Sequence, residues 1–224
     1  MITHLRGYLS SEDDVVNVAR YHQQRLAELI HAQMLQHKWQ TPTEYEAKVS
    51  RGFETLTADF YSAAAGETVR DFRTPVEERL LIRGMRFGGF SKCLYPEQRF
   101  ESDSERRMAI VLEDDPEVIK WIKPAIGKVR IDYASAEEYN PDFIVETANH
   151  KYMCEPKRAD QLNDPVTQAK AKAAATWCRY ASENALEHGG KSWSYLLIPH
   201  DQITADKTIR GLAAAYAYRD TRSH

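Results

Sequence analysis

The sequence predicts a mixed α/β domain behind a helical N-terminal extension, and three observations support that prediction. Helix-start signals and apolar residues at spacings of three and four fill the first third of the chain. The glycine pair at 88–89 then marks a change of pattern. Beyond it, short apolar strands alternate with amphipathic helices, an order typical of a sheet covered by helices. We therefore place the extension at residues 1–88 and the α/β domain at residues 89–224.

The extension contains three predicted helices. The first covers residues 12–37, where an acidic first turn precedes an apolar stripe. Thr41-Pro42-Thr43-Glu44 is a capping-box pattern with proline at the first helical position, so we expect a second helix over residues 42–66. Thr74-Pro75-Val76-Glu77 repeats this signal before a short helix that ends near Gly84.

The α/β domain is predicted to be a mixed sheet with helices packed on it. Its strands are expected at residues 90–95, 128–133, 141–147, 151–157 and 193–198. Its helices are expected at residues 102–113, 164–187 and 204–219, with a short helical turn at residues 116–123.

Composition sets broad limits on the class of protein. The chain has 224 residues, of which 42% are hydrophobic and 28% charged, which suits one large domain or a domain with an extension. No apolar run is long enough for a membrane span, and the three cysteines form no CxxC pair. We therefore expect a cytoplasmic protein with no membrane partner, no disulfide framework and no zinc site. The net charge of −3 does not indicate nucleic acid, although a local groove can be basic on an acidic protein.

The most informative stretch is residues 139–158, which read YNPDFIVETANHKYMCEPKR. A hairpin that turns at Ala148-Asn149 pairs Glu146 with Lys151, which are opposite charges, and then pairs apolar residues with one another. Because every pair is a favourable one, the pattern predicts this register for two antiparallel strands.

The same register places Asp142 opposite Glu155 at the end of the hairpin. Facing Cβ atoms lie roughly 4.5–5.5 Å apart, and two carboxylates at that distance repel unless a proton or a cation lies between them. Lys157 follows two residues later and points to the same face. Two hard oxygen ligands beside an ammonium group suit Mg²⁺ and a phosphate. The alternative is a solvated strand end that carries a Glu–Lys pair.

With "PDF" at 141–143 and "EPK" at 155–157, the hairpin resembles the PD-(D/E)xK nuclease signature. Over about residues 90–200, the stretches FESDSERRMAIVLEDDPEVIKWIKP, the hairpin with its following helix, and WSYLLIPH resemble the C-terminal endonuclease region of type III restriction enzyme Res subunits. The resemblance implies a restriction-endonuclease-like core and Mg²⁺- or Mn²⁺-dependent hydrolysis of DNA, for restriction or DNA processing. It implies metal ligation by Asp142 and Glu155, and water activation and charge stabilisation by Lys157.

Two further residues are expected at the metal. The resemblance aligns Glu105 with a helix acid that related nucleases place near it. The alternative is that Glu105 only caps backbone, because Ser102-Asp-Ser-Glu105 is itself a capping box. Pro156 stands where the family often has a small polar residue, but proline keeps a carbonyl that can act as a ligand.

We expect duplex DNA as the partner, with phosphate contacts from one residue next to Lys157 and three on the following helix. These residues are Arg158, Gln168, Lys170 and Lys172. A solvated helix face is the alternative for the last three. Residues 185–192 loosely fit a phosphate loop, but they leave a helix and enter a strand, the reverse of the required order. We therefore expect any helicase/ATPase motor, or modification subunit, to be a separate partner. The rival function is a catalytically silent module of the same fold that binds DNA or a helicase.

Overall fold

The computed structural model describes residue 9 and residues 11–36, 68–125, 127–134 and 137–219. The chain divides into two compact units, Met1–Glu46 and Ala47–His224. The predicted boundary at residues 88–89 does not coincide with this division.

The first unit contains helices α1 (Glu12–Tyr21) and α2 (Gln23–Gln36). The sequence predicts one helix over residues 12–37, but His22 leaves the helical conformation, with φ −119° and ψ 10°. The predicted first helix is therefore two helices. The second predicted helix, over residues 42–66, lies outside the described residues.

In the second unit, the first described residues belong to a three-stranded sheet. In it, β1 (Val69–Asp71) is parallel to β2 (Arg86–Gly88), and β2 is antiparallel to β3 (Glu97–Gln98). A 3-10 helix, Arg79–Gly84, lies between the first two strands. Only this second half of the short helix predicted after Thr74-Pro75 is helical. The stretch from Val69 to Gly88, predicted to be part of a helical extension, thus holds strands as well.

The predicted strand at 90–95 is wrong. The backbone N–H groups of Ser91, Lys92 and Cys93 all donate to the carboxylate of Glu113, so they are not available to a neighbouring strand. Cys93 forms a single bridge with Trp121 instead.

Helix α3 (Asp103–Asp114) begins after Ser102, whose hydroxyl accepts the Glu105 N–H, and it agrees with the prediction to within one residue at each end. The next element is strand β4 (Val118–Ile122), where we predicted a helical turn. The prediction fails because a bulge between Val118 and Lys120 shifts the strand register. Buried residues then fall at 118, 121 and 122, a spacing that resembles a helix.

Strands β5 (Ile131–Ala134) and β6 (Glu137–Tyr139) form an antiparallel pair, of which the sequence predicted the first strand only, at 128–133. Strands β7 (Phe143–Thr147) and β8 (His150–Lys157) form the predicted hairpin. Their partners run from Glu146–Lys151 to Phe143–Cys154, so the predicted register is confirmed.

Helix α4 (Pro165–Glu187) follows Asp164, whose carboxylate accepts the N–H groups of the first turn. Gly189, with φ +71°, lies in the turn after the helix, where glycine adopts this conformation without strain. Strand β9 (Ser192–Pro199) then pairs parallel with β8. Helix α5 (Ile209–Tyr216) is shorter than the predicted 204–219, because Thr208 caps its start.

The main sheet has the strand order β4-β7-β8-β9 and is mixed, since only β8 and β9 are parallel. Its alternate side chains form two cores. Side chains of α3 and α5 pack on one face, around Trp121, Phe143 and Ile198. Side chains of α4 and the β5–β6 pair pack on the other, around Met153 and Tyr195. The predicted mixed α/β class is therefore confirmed.

The three cysteines, Cys93, Cys154 and Cys178, carry free thiols. Within the described ranges, no helix combines the length and apolar character that crossing a membrane requires.

Candidate active site

The β7–β8 hairpin brings the predicted residues to one end of the main sheet. Its strand ladder stops at Phe143–Cys154, so Asp142 lies just outside the ladder while Glu155 and Lys157 lie within β8. Glu155 also has Leu197 of β9 as its neighbour. Glu155 and Lys157 therefore lie on an interior strand, and strands hold side chains more rigidly than loops do.

Glu155 is a buried carboxylate with two side-chain donors. The hydroxyl of Tyr139 donates to one oxygen at 2.8 Å, and Lys157 Nζ lies 2.9 Å from the other. Tyr139 is itself buried. Burial and the adjacent charge of Glu155 raise the pKa of Tyr139 well above its ordinary value, so the phenol stays protonated and remains a donor. These contacts fix the orientation of Glu155.

Lys157 is held by the carboxylates around it. Burial lowers the pKa of Lys157, but the charges of Glu155 and Asp142 outweigh burial and raise it above its ordinary value. Its side chain is 30% exposed, so the charged ammonium can still reach a ligand from solvent.

Asp142 is a carboxylate of the site whose pKa is raised. Burial, and next the negative charge of Glu155, raise its pKa well above the usual range. Its side chain keeps 24% exposure, which leaves a path for an ion from solvent. The pair Asp142–Glu155 thus carries the electrostatic conflict that the hairpin register predicts.

Glu105 lies in the first turn of α3 and is buried. Its carboxylate accepts the N–H of Glu101 at 3.0 Å and pairs with Lys123 Nζ at 2.9 Å. Its own N–H donates to Ser102 Oγ at 3.3 Å. Glu105 therefore caps backbone, as the structural alternative requires, and it also touches a side chain of the site.

Tyr139 and Lys123 belong to the site but were not predicted from the sequence. Lys123 is the charged one of the two. Its ammonium lies 2.9 Å from Glu105 and 3.9 Å from Asp142. Burial lowers the pKa of Lys123, but the charges of Glu105 and Asp142 outweigh burial and raise it. The sequence holds one signal for Lys123. If residues 118–122 are assigned as a strand, Lys123 and Pro124 mark the end of that strand, beside Asp142.

Three carboxylates and two lysines therefore share this end of the sheet. The lysines lie against Glu105 and Glu155. In the part of the chain that the structure describes, no three His, Cys, Asp or Glu side chains are grouped to hold one metal ion. The predicted set of Asp142, Glu155 and Glu105 is thus not assembled as a three-residue ligand group.

The donor chemistry of Asp142 and Glu155 nevertheless fits a hard divalent cation. Burial, and next the charge of Glu155, raise the pKa of Asp142, and a cation between the two carboxylates would relieve their repulsion. Pro156 is buried in β8 directly after Glu155, so its carbonyl belongs to the same strand end.

The predicted DNA-contact residues lie in different settings. Arg158 is exposed and pairs with Asp160 at 2.8 Å. Gln168 uses both polar atoms within the protein, since its amide donates to Leu162 O and its oxygen accepts from Tyr218. Lys170 lies over the ring of Tyr133, and Lys172 is exposed on α4. Gln168 would have to break internal hydrogen bonds before it could bind DNA.

Comparisons of the chain with protein-family models, with curated proteins and with solved structures give no match. The resemblance to the PD-(D/E)xK nucleases therefore stays a prediction.

Proposed function

We propose that the chain is a divalent-metal-dependent DNA endonuclease of the restriction or DNA-processing type, with a PD-(D/E)xK-like core and duplex DNA as substrate. One observation carries the proposal: Asp142, Glu155 and Lys157 come together at one end of a hairpin in the predicted register. Self-repelling carboxylates beside an ammonium group favour a cation and a phosphate over a purely structural role.

The residues divide the work between ligation and charge stabilisation. Asp142 and Glu155 would hold the cation, with the Pro156 carbonyl as a further ligand. A bound Mg²⁺ or Mn²⁺ would supply Lewis-acid polarisation of the phosphodiester. Lys157 would orient the attacking water and stabilise negative charge as one P–O bond forms to water and the P–O bond to the leaving sugar oxygen breaks. Tyr139 keeps Glu155 aimed at the site through its 2.8 Å hydrogen bond.

Glu105 has a lesser role in this proposal. It would neutralise Lys123 and join the cation as a ligand only after that ion pair opens, because Lys123 lies 2.9 Å from its carboxylate. Arg158, Lys170 and Lys172 would contact phosphates along the duplex, which positions DNA without reading its sequence. A separate helicase/ATPase motor or modification subunit would be the protein partner, in the cytoplasm.

A second function is favoured by one observation. Lysines lie against Glu155 and Glu105, and no three-residue metal group occurs among the described residues. A module that binds DNA or a helicase without cutting would need no cation, and its lysines would stay in these ion pairs.

The substitution Lys157→Ala separates the two functions. Because Lys157 acts as charge develops in the transition state, its loss should cut nicking of supercoiled plasmid in Mg²⁺ by on the order of 10²-fold or more. Duplex affinity, measured in Ca²⁺, should lose about one phosphate contact, seen as a shallower salt dependence. Lys207→Ala is the matched control, since Lys207 is 40% exposed and pairs only with its neighbour Asp206 in the described structure.

A wild type that binds duplex DNA but never cuts with Mg²⁺ or Mn²⁺ would contradict the free-standing nuclease. Adding a helicase partner then distinguishes a nuclease subunit from a binding module. Restored cutting would indicate a nuclease subunit, and continued silence would indicate the binding module.

A further inference from the structure

Lys123 directly follows β4 and lies within the acidic site rather than in solvent. Its side chain is 17% exposed, and its ammonium lies between Glu105 Oε2 at 2.9 Å and Asp142 Oδ1 at 3.9 Å. The aromatic ring of Phe143, 5.9 Å away, closes a further side of this position. A positive charge thus occupies the space between two of the three site carboxylates.

Lys120, which lies within β4, shows what an ordinary ion pair looks like here. Lys120 pairs with Glu146 at 3.2 Å, but its side chain is 60% exposed. Glu146 also has a second lysine partner, Lys191 at 2.7 Å, and its pKa is lowered, because these partners outweigh the effect of burial. The carboxylate beside Lys120 is therefore fully compensated, whereas Asp142 beside Lys123 is not.

We infer that Lys123 is the internal counter-ion of the site: its ammonium occupies a cation position between Glu105 and Asp142, and a divalent cation must displace it to bind. This inference rests on the proposed function, because it assigns a competitor to the proposed metal.

The reason is electrostatic. When all five groups are ionised, three carboxylates and two ammonium groups leave one net negative charge, which attracts a divalent cation but does not require it. A divalent cation bound to Asp142 would repel an ammonium held at the same oxygen. Lys123 therefore turns away on binding, which frees Glu105. The positive charge of Lys123 then remains near the site, where it can face the anionic phosphodiester.

The substitution Lys123→Met tests both halves of this inference, since methionine keeps most of the length and removes the charge. Mg²⁺ affinity, measured by calorimetry, should rise by roughly tenfold, the lower end of the effect of one close charge. Plasmid nicking should fall by roughly tenfold or more, because a phosphate-facing charge is lost. Lys120→Met is the matched control and should change neither quantity. Unchanged Mg²⁺ affinity in Lys123→Met would overturn the inference.

Because Lys123→Met leaves buried carboxylates unpaired and can impair folding, a second measurement uses the wild type. Lysines are dimethylated with ¹³C, which keeps their charge, and the Lys123 and Lys120 signals are assigned with Lys→Arg variants. Addition of Mg²⁺ should shift the Lys123 signal and leave the Lys120 signal in place. A Lys123 signal that stays unchanged while Mg²⁺ binds would contradict displacement.

The outcomes also separate the two proposals. Wild type that binds no Mg²⁺ or Mn²⁺ at all would overturn the proposed function and this inference together. Wild type and Lys123→Met that bind Mg²⁺ equally well would overturn the inference alone.

Discussion

Glu113, at the end of α3, and Glu155, in β8, are buried to nearly the same degree, with 5% and 6% of each residue exposed. Their surroundings differ. Glu113 is enclosed by backbone and indole N–H groups that cannot move without unfolding the loop around it. Glu155 is met by the ends of two side chains, and a second carboxylate lies beside it.

The donors of Glu113 cover both carboxylate oxygens. Oε2 accepts the N–H and hydroxyl of Ser91, at 2.8 and 2.7 Å. Oε1 accepts the N–H groups of Lys92 and Cys93 and the indole of Trp121, between 2.8 and 3.1 Å. These hydrogen bonds lower the pKa of Glu113, although burial acts in the opposite direction. The ionised carboxylate thus stabilises the fold at neutral pH.

At the candidate active site the pKa shift has the opposite direction, because burial and the like charge of Glu155 raise the pKa of Asp142. A carboxylate that stabilises the fold is surrounded by fixed donors, whereas these carboxylates retain unbalanced charge. That difference is the physical basis for assigning a function to the carboxylates around Asp142 and Glu155 and not to Glu113.

The largest expected effect comes from Glu155→Gln. Cleavage should fall by on the order of 10²-fold or more, as for loss of a preorganised group at the reacting phosphate. The free energy of unfolding should change by less than about 1 kcal/mol, because losing the Lys157 ion pair is offset by removing repulsion with Asp142. Nicking assays and urea unfolding measure the two quantities. Strong destabilisation would place Glu155 in the same structural class as Glu113.

Glu113→Gln should have the opposite profile. The amide replaces one acceptor oxygen by an NH₂ group that faces N–H donors, so unfolding should become easier by about 2–3 kcal/mol. Remaining folded protein should keep its cleavage rate per molecule, since Glu113 lies outside the site. Normal stability of this variant, by thermal or urea unfolding, would contradict the role of Glu113.

The same variant gives a pH test with a defined sign. The folded-state pKa of Glu113 lies below its ordinary value of about 4.5, so its contribution is present above that pH and is lost as pH falls through the folded pKa. The difference in the free energy of unfolding between wild type and Glu113→Gln should therefore be largest at neutral pH and decrease below about pH 4.5. A gap that is equal at pH 3 and pH 7 would mean that charge is not responsible.

The smallest effect is expected for Pro156→Thr. The backbone carbonyl is retained, so cleavage should stay within about tenfold, roughly 1.4 kcal/mol in the barrier. The cleavage rates of Pro156→Thr and Glu155→Gln are measured side by side. A loss as deep as that of Glu155→Gln would show that the proline ring shapes the site.

The hairpin could be predicted from sequence because its pairs are local. Charges and apolar residues on two adjacent strands determine the register, and the register places Asp142 near Glu155. Lys123 could not be found in this way, because the bulge in β4 concealed the strand that directly precedes it. The Glu113 cluster was equally hidden, since its donors are mostly backbone N–H groups about 20 positions away, which no residue type reveals.

Direct titration with Mg²⁺ or Mn²⁺ decides whether the two mutually repelling carboxylates, Asp142 and Glu155, bind a divalent cation. Calorimetry of the wild type should show divalent binding, and Asp142→Asn should abolish it, because one of the two carboxylate ligands is removed. Glu113→Gln, assayed under conditions where it is folded, should bind like the wild type. Equal binding by wild type and Asp142→Asn, or no binding by the wild type, would contradict the assignment of this sheet end as a metal-dependent active site.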